Sequence, residues 1–226
     1  AFYIRRLDNA TLVSYNKKRH KCRKIIGEKR DMSQKGEKTR QNIKEQAMKL
    51  FAQRGFKDVT MKDICEATQL SRGGLYLHYG STRQIFAEII DDLMGCQEDE
   101  FSEKISNNIS AKTILTDVLD RYARDMKDSQ GALNVAIYEY FSSENESGNN
   151  ALVKQYQKSR VMWRQLLEYG IKRGQFNAVD VDAVFDLIVF SYQGVRMYST
   201  LMPIDETIPN NIVTMIKKII LKGEEE

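Results

Sequence analysis

Between Ser71 and His78 the chain reads Ser-Arg-Gly-Gly-Leu-Tyr-Leu-His, a run rich in groups that can bond to a base edge or a phosphate. Arg72 carries the forked donors that pair bidentately with guanine in a major groove. Ser71 can bond either a base or a phosphate, and Tyr76 and His78 supply a hydroxyl and an imidazole for phosphate oxygens. Gly73 and Gly74 let backbone N–H groups come close to a duplex. Inside a helix each glycine costs about 1 kcal/mol relative to alanine, so helix stability does not explain the pair, and close approach does. Catalytic and metal-binding readings find less support. The two histidines, His20 and His78, have no partnering nucleophile or base, and Cys22, Cys65 and Cys96 lack CxxC spacing. Cys65 reads as a small core residue, and His20 with Cys22 as part of a solvated basic segment. No catalytic residue, cofactor or metal is expected.

These groups need elements to hold them. Thr60 can cap a helix with Asp63 in the capping-box position, after which Met61, Ile64, Cys65 and Thr68 share one face. Gln69 and Leu70 form a turn, and Ser71 caps a second short helix that Gly80, as a left-handed residue, would end. The result is a helix-turn-helix, whose second helix lies in the major groove with its N-terminal residues towards the bases. Upstream, Ile43, Ala47, Leu50 and Phe51 form a helical stripe, and Gly55 stops that helix. Downstream, Ser81 with Gln84 makes a second capping box for a longer helix that buries Ile85, Phe86, Ile89, Ile90, Leu93 and Met94.

The stretch from Gly36 through Phe56, the residues Thr60-Met61, Ile64, Ala67, Ser71-Arg72-Gly73, Leu75-Tyr76 and Tyr79, and the following Ser81-Thr82-Arg83-Gln84-Ile85-Phe86 together resemble the TetR family of bacterial transcription repressors. Two positions depart from that pattern. Gln69 stands where the family's turn holds glycine, which would place a non-glycine residue in the left-handed region at about 1 to 2 kcal/mol. Thr82 stands where a lysine often grips a phosphate, a role that Arg83 could take over. With Lys38, Thr60, Lys62 and Ser81 as further phosphate candidates, the expected DNA-binding set is Lys38, Thr60, Lys62, Ser71, Arg72, Gly73, Gly74, Tyr76, His78, Ser81, Thr82 and Arg83. For Lys38 the ordinary alternative is a solvated lysine.

Charge is distributed to match. Residues 1–31 hold ten Lys+Arg against three Asp+Glu, residues 32–80 nine against five, and residues 81–226 sixteen against 23, within a whole-chain net charge of +4. A basic head on an acidic body suits selective binding of nucleic acid through one end, because phosphate contacts supply much of the affinity. The expected organisation is a basic extension at 1–31, a helix-turn-helix DNA-binding domain at 32–80 and a helical effector-binding and dimerisation domain at 81–226. The extension is either a basic arm that reaches neighbouring phosphates or a segment foreign to the native chain and without structure.

With 42% hydrophobic residues in 226, only two prolines and scarce strand alternation, the chain is expected to be all-α. It lacks a run of about 18 apolar residues, so no membrane span and a cytoplasmic location are expected. Body helices are predicted over 110–128, 131–143, 148–174, 180–202 and 206–222. The fourth is apolar almost all round, which calls for a second partner, and a homodimer supplies one. The resemblance implies dimerisation through the last two helices and a switch carried by the helix that starts at Ser81. It also implies a small-molecule effector. Tyr122, Met126, Tyr138, Phe141, Trp163, Phe190, Gln193 and Tyr198 are the candidate pocket, with Gln193, Arg196 or Glu139 orienting the ligand, and core packing is the ordinary alternative for each. Such a lining suits a lipophilic or aromatic compound. The functional expectation is therefore a ligand-responsive repressor that binds a palindromic double-stranded DNA operator as a dimer. The alternative is a DNA-bound scaffold that recruits a protein partner and takes no small molecule.

Overall fold

The computed structural model describes residues 34–95, 99–127, 133–143 and 151–223, and the expectations for 1–31, His20, Cys22 and Cys96 lie outside them. All regular elements among the described residues are helical: α1 (Gln34–Arg54), α2 (Met61–Thr68), α3 (Arg72–Tyr76), α4 (Thr82–Gly95), α5 (Ser102–Ser106), α6 (Ala111–Lys127), α7 (Asn134–Ser142), α8 (Ala151–Lys172), α9 (Val181–Tyr198) and α10 (Thr207–Ile220). An isolated antiparallel bridge joins Phe176 and Leu221. None of the helices is long and apolar enough to cross a membrane.

The chain divides into two compact units, and the first holds α1 to α4 together with α7. Its interior is built from Ile43, Ala47, Met48 and Phe51 of α1, Ile64 of α2, Leu75 of α3 and Ile85, Phe86, Ile89 and Ile90 of α4, all buried. Phe51, Phe56, Phe86, Tyr140 and Phe141 form a run of ring contacts with centroids 4.8–5.9 Å apart, and this brings α7 onto α1 and α4. Gly55 ends α1 at φ +82°, where a side chain would be strained, and a Cβ there would also lie 2.6 Å from Glu139 Oε2. That carboxylate accepts hydrogen bonds from the backbone N–H groups of Phe56 (2.6 Å) and Lys57 (3.0 Å). The expected boundary at residue 80 falls inside this unit.

The second unit holds α5, α6, α8 from Leu152 onward, α9 and α10. Its core gathers Ile114, Leu115, Leu119, Tyr122, Trp163, Leu166, Leu167, Phe185, Ile188, Val213 and Ile216. α5 is a single turn that periodicity does not reveal. The Asp99 carboxylate sets it up by accepting from the N–H groups of Phe101 and Ser102, each at 3.0 Å.

Candidate nucleic-acid interface

The turn between α2 and α3 is fixed at both ends by side-chain caps. Thr60 Oγ1 accepts from Asp63 N–H (3.3 Å) and Thr60 N–H donates to Asp63 Oδ2 (2.8 Å), so the capping box predicted from the sequence forms. Hydrogen bonds from the Thr60 side chain and backbone hold the Asp63 carboxyl down at about 2. Gln69 closes α2 at φ 57°, ψ 25°, the left-handed conformation expected of it, and Ser71 Oγ then accepts from Gly74 N–H at 3.1 Å. α3 ends earlier than predicted, at Tyr76. Gly80 does not take a positive φ; its N–H instead donates to Gln84 Oε1 (2.8 Å) while Ser81 Oγ accepts from Gln84 N–H (3.1 Å). The glycine thus belongs to the start of α4 rather than to the end of α3.

Leu75 and Tyr79, four residues apart, face the interior. At about 100° per residue, Arg72 and Tyr76 then form one row on the shoulder of the helix, and Gly73 and Leu77 form a second row almost opposite Leu75. The accessibilities agree: Arg72, Gly73, Tyr76 and Leu77 are all exposed, and the Arg72 guanidinium lies 5.9 Å from the Tyr76 ring centroid. Gly74 and His78 are half-buried on the other shoulder. Glycine is explained differently at the two positions. A Cβ at Gly74 would lie 3.2 Å from Ser71 Oγ and crowd the cap, whereas a Cβ at Gly73 would meet nothing within 4 Å.

Beneath this surface a charge network ties α1 to α4 and to the segment after α3. Glu88 accepts from Lys44 Nζ (2.8 Å), Arg40 and Tyr79 Oη (3.0 Å), and Asp92 also pairs with Lys44, whose side chain is fully buried. Arg40 reaches further, donating to the His78 carbonyl (3.0 Å) and lying 4.3 Å from the Tyr79 ring centroid. Burial alone would raise the Glu88 carboxyl, but hydrogen bonds and charge from Lys44 and Arg40 outweigh it and hold the group at about 2. Burial, reinforced by the Glu88 charge, pushes the Tyr79 phenol up. Sequence reasoning missed this network, although Arg40 with Lys44 and Glu88 with Asp92 are complementary pairs at helical spacing.

The other expected contacts are scattered around α3. Lys38, Thr60, Lys62 and Ser81 are exposed and Thr82 is half-buried. Arg83 is exposed, its guanidinium 5.0 Å from the Tyr140 ring centroid and bonded to Ser143 Oγ (3.3 Å).

The candidate pocket residues divide between the two units, and in the second the Tyr122 and Trp163 rings lie in contact, with centroids 6.1 Å apart. Tyr122, Met126 and Trp163 are buried in the core of the second unit, and Gln193 is half-buried on α9. Phe190 and Tyr198 are 63% and 61% exposed, because the register of α9 turns Val184, Phe185, Ile188, Val189 and Tyr192 inward and leaves these two outside. Tyr138 and Phe141 belong to the first unit, where Tyr138 is 63% exposed and Phe141 packs on Tyr140. Glu139 is occupied by the backbone after α1. A surface groove of about 420 Å³ between α5 and α8 is lined by Ile105, Gln165, Tyr169 and Lys172 among others, none of them an expected pocket residue. Among the described residues no group of His, Cys, Asp and Glu could hold a metal ion.

Comparison with known proteins converges on this helix-turn-helix. Residues 43–89 match the model for bacterial regulatory proteins of the tetR family. The chain is 30% identical over 148 residues to the uncharacterized HTH-type transcriptional regulator YfiR of Bacillus subtilis (strain 168), covering 63% of this chain and 70% of that protein. It is 28% identical over 149 residues to the HTH-type transcriptional repressor KstR2 of Rhodococcus jostii (strain RHA1), covering 62% and 69%. In fold it is similar to a TetR transcriptional regulator from Chloroflexus aurantiacus (TM-score 0.65, 21% identity, 84% of this chain and 100% of that one) and to E. coli NemR in its reduced form (TM-score 0.67, 14% identity, 82% and 100%). With its capped helix-turn-helix, its all-helical body and these relatives, the chain belongs to the TetR family of bacterial transcriptional regulators, DNA-binding proteins rather than enzymes.

Proposed function

We propose that this protein is a dimeric transcriptional repressor that inserts α3 of each protomer into the major groove of a near-palindromic operator and is released by a small-molecule effector. The observation that carries the DNA-binding part is the side of α3 turned away from Leu75 and Tyr79. There a capped, well-anchored helix presents Arg72, Gly73 and Tyr76 to the outside with no side chain over Gly73. In this reading Arg72 pairs with a guanine, while Ser71, Tyr76, His78 and the exposed Lys38, Lys62 and Ser81 take phosphates and fix the register. Dimerisation is supported by the outward apolar side chains of the last two helices, Leu187 and Phe190 on α9 and Met215 and Ile219 on α10. An effector in the second unit is supported by Gln155, a polar side chain buried there whose Oε1 has no hydrogen-bond partner among the described residues. Burying polar groups costs stability, and a bound ligand's polar atoms would offset that cost.

The DNA-binding part is tested by Arg72→Ala. Binding to the operator is expected to weaken by about 1 to 3 kcal/mol and to lose preference at one base position, with a much smaller loss on random duplex. An equal loss on both would reduce Arg72 to a phosphate contact.

A further inference from the structure

Leu77 is the most exposed large apolar side chain among the described residues, at 86%. A single exposed leucine is ordinary on a protein surface. This one differs because of Gly73, one helical turn before it. The Leu77 N–H donates to the Gly73 carbonyl at 3.1 Å, so the two share a helix face. Gly73 has no positive φ to require glycine, and a Cβ there would meet nothing within 4 Å among the described residues. The chain therefore accepts the helix-propensity cost of glycine with no contact among the described residues to explain it. That space is open to a partner from outside. The same face is flanked by Arg72 and Tyr76 and lies opposite the buried Leu75, so it points away from the protein.

Of the groups a major groove displays, the C5-methyl of thymine is the apolar one. We propose that Leu77, beside the space cleared by Gly73, packs against thymine methyl groups and sets a preference for thymine at one position of each half-site. This assignment rests on the DNA-binding reading above and adds to it a specificity determinant without hydrogen bonds. It also accounts for a leucine between two polar residues, Tyr76 and His78, where a polar residue would have been better solvated.

The test uses the full chain and the duplex most enriched from a random 30-base-pair pool, with each thymine replaced in turn by uracil, which removes only the methyl group. At one thymine per half-site, uracil is expected to weaken wild-type binding about fourfold, the factor equivalent to ~0.8 kcal/mol for one methyl-sized group at 1.4 kcal/mol per decade. In Leu77→Ala the thymine duplex should bind about fourfold more weakly, and the same uracil should then change affinity by less than about twofold. Leu77→Ala should melt as the wild type does, because the side chain is exposed. As a second variant, Gly73→Ala should melt no lower than wild type yet bind the duplex at least about tenfold more weakly, since its methyl would occupy space the duplex needs. A flat uracil scan, or a uracil penalty that persists undiminished in Leu77→Ala, overturns the Leu77 assignment. Wild-type affinity in Gly73→Ala overturns the cleared space. Failure to enrich any sequence would overturn the DNA-binding reading itself, an outcome distinct from an enriched duplex with a flat scan.

Discussion

Replacing Glu88 with alanine is expected to destabilise the first unit by about 3 to 5 kcal/mol, a large share of the roughly 5 to 15 kcal/mol that holds a typical domain together. Glu88 is the shared acceptor for Lys44, Arg40 and Tyr79 Oη. Its loss leaves the fully buried Lys44 with Asp92 as its remaining carboxylate partner among the described residues and takes an acceptor from Arg40 and from the Tyr79 hydroxyl, and a buried charge that loses a partner is costly. DNA binding should suffer as well, because Arg40 would lose the carboxylate that aims it at the His78 carbonyl and the Tyr79 ring. Denaturant unfolding of the wild type and variant measures the first effect, and duplex binding at a temperature where both are folded measures the second. The contribution also has a pH signature. Glu88 is held at about 2 in the folded chain against an ordinary value of 4.5, so its stabilisation is complete above pH 4.5 and fades as pH falls from there towards 2. The stability gap between wild type and Glu88→Gln should therefore narrow on acidification through that window and stay level above it.

Gly170→Ala should lower the stability of the second unit by about 2 to 3 kcal/mol. The turn after α8 folds back so that Gln175 and Phe176 both donate to the Gly170 carbonyl, at 3.0 and 3.2 Å, and the Phe176 ring covers the glycine. A Cβ at residue 170 would overlap that buried ring. The ring must move out, at a cost near the lower end of a phenylalanine truncation, about 3 to 5 kcal/mol, offset in part by the ~1 kcal/mol that alanine gains in a helix. The displacement would also pull on the pairing of this turn with the segment after α10, where Asn177 N–H bonds the Ile220 carbonyl (2.8 Å) and Lys222 N–H the Gln175 carbonyl (3.2 Å). Calorimetry of four chains decides it: once Phe176→Ala has removed the ring, adding Gly170→Ala should cost nothing further. Additive losses would place the strain elsewhere.

The local devices of the reading head were legible from residue types and spacing. The Thr60–Asp63 box, the Ser71 cap, the Gly55 stop and the left-handed Gln69 are each decided by groups within four residues of one another. Gly80 shows the limit of that logic. A glycine after a helix signals the end of α3, but the Gly80 N–H is taken by Gln84 at the start of α4. Contacts across more than 50 residues left no trace in the chain. Nothing around Glu139 announces that its carboxylate cradles the backbone at Phe56, and nothing around Arg83 announces Tyr140. Aromatic residue type says nothing of helix register, which is why Phe190 and Tyr198 are exposed while Tyr122 and Trp163 are buried. Register alone turns Phe190 outward while Val189 and Tyr192 face the core, and the same register places Leu77 opposite Leu75.

The proposed function requires that duplex DNA take α3 as one of a symmetric pair. Selection of duplexes from a random pool by the full chain, at fixed ionic strength, tests this most directly. It is expected to return a near-palindrome whose half-site centres lie about 10 base pairs, or 34 to 36 Å, apart, with guanine at a fixed place in each half that is lost when Arg72→Ala is used. Recovery of duplexes no different from the starting pool, or of single asymmetric sites unaffected by Arg72→Ala, would contradict it.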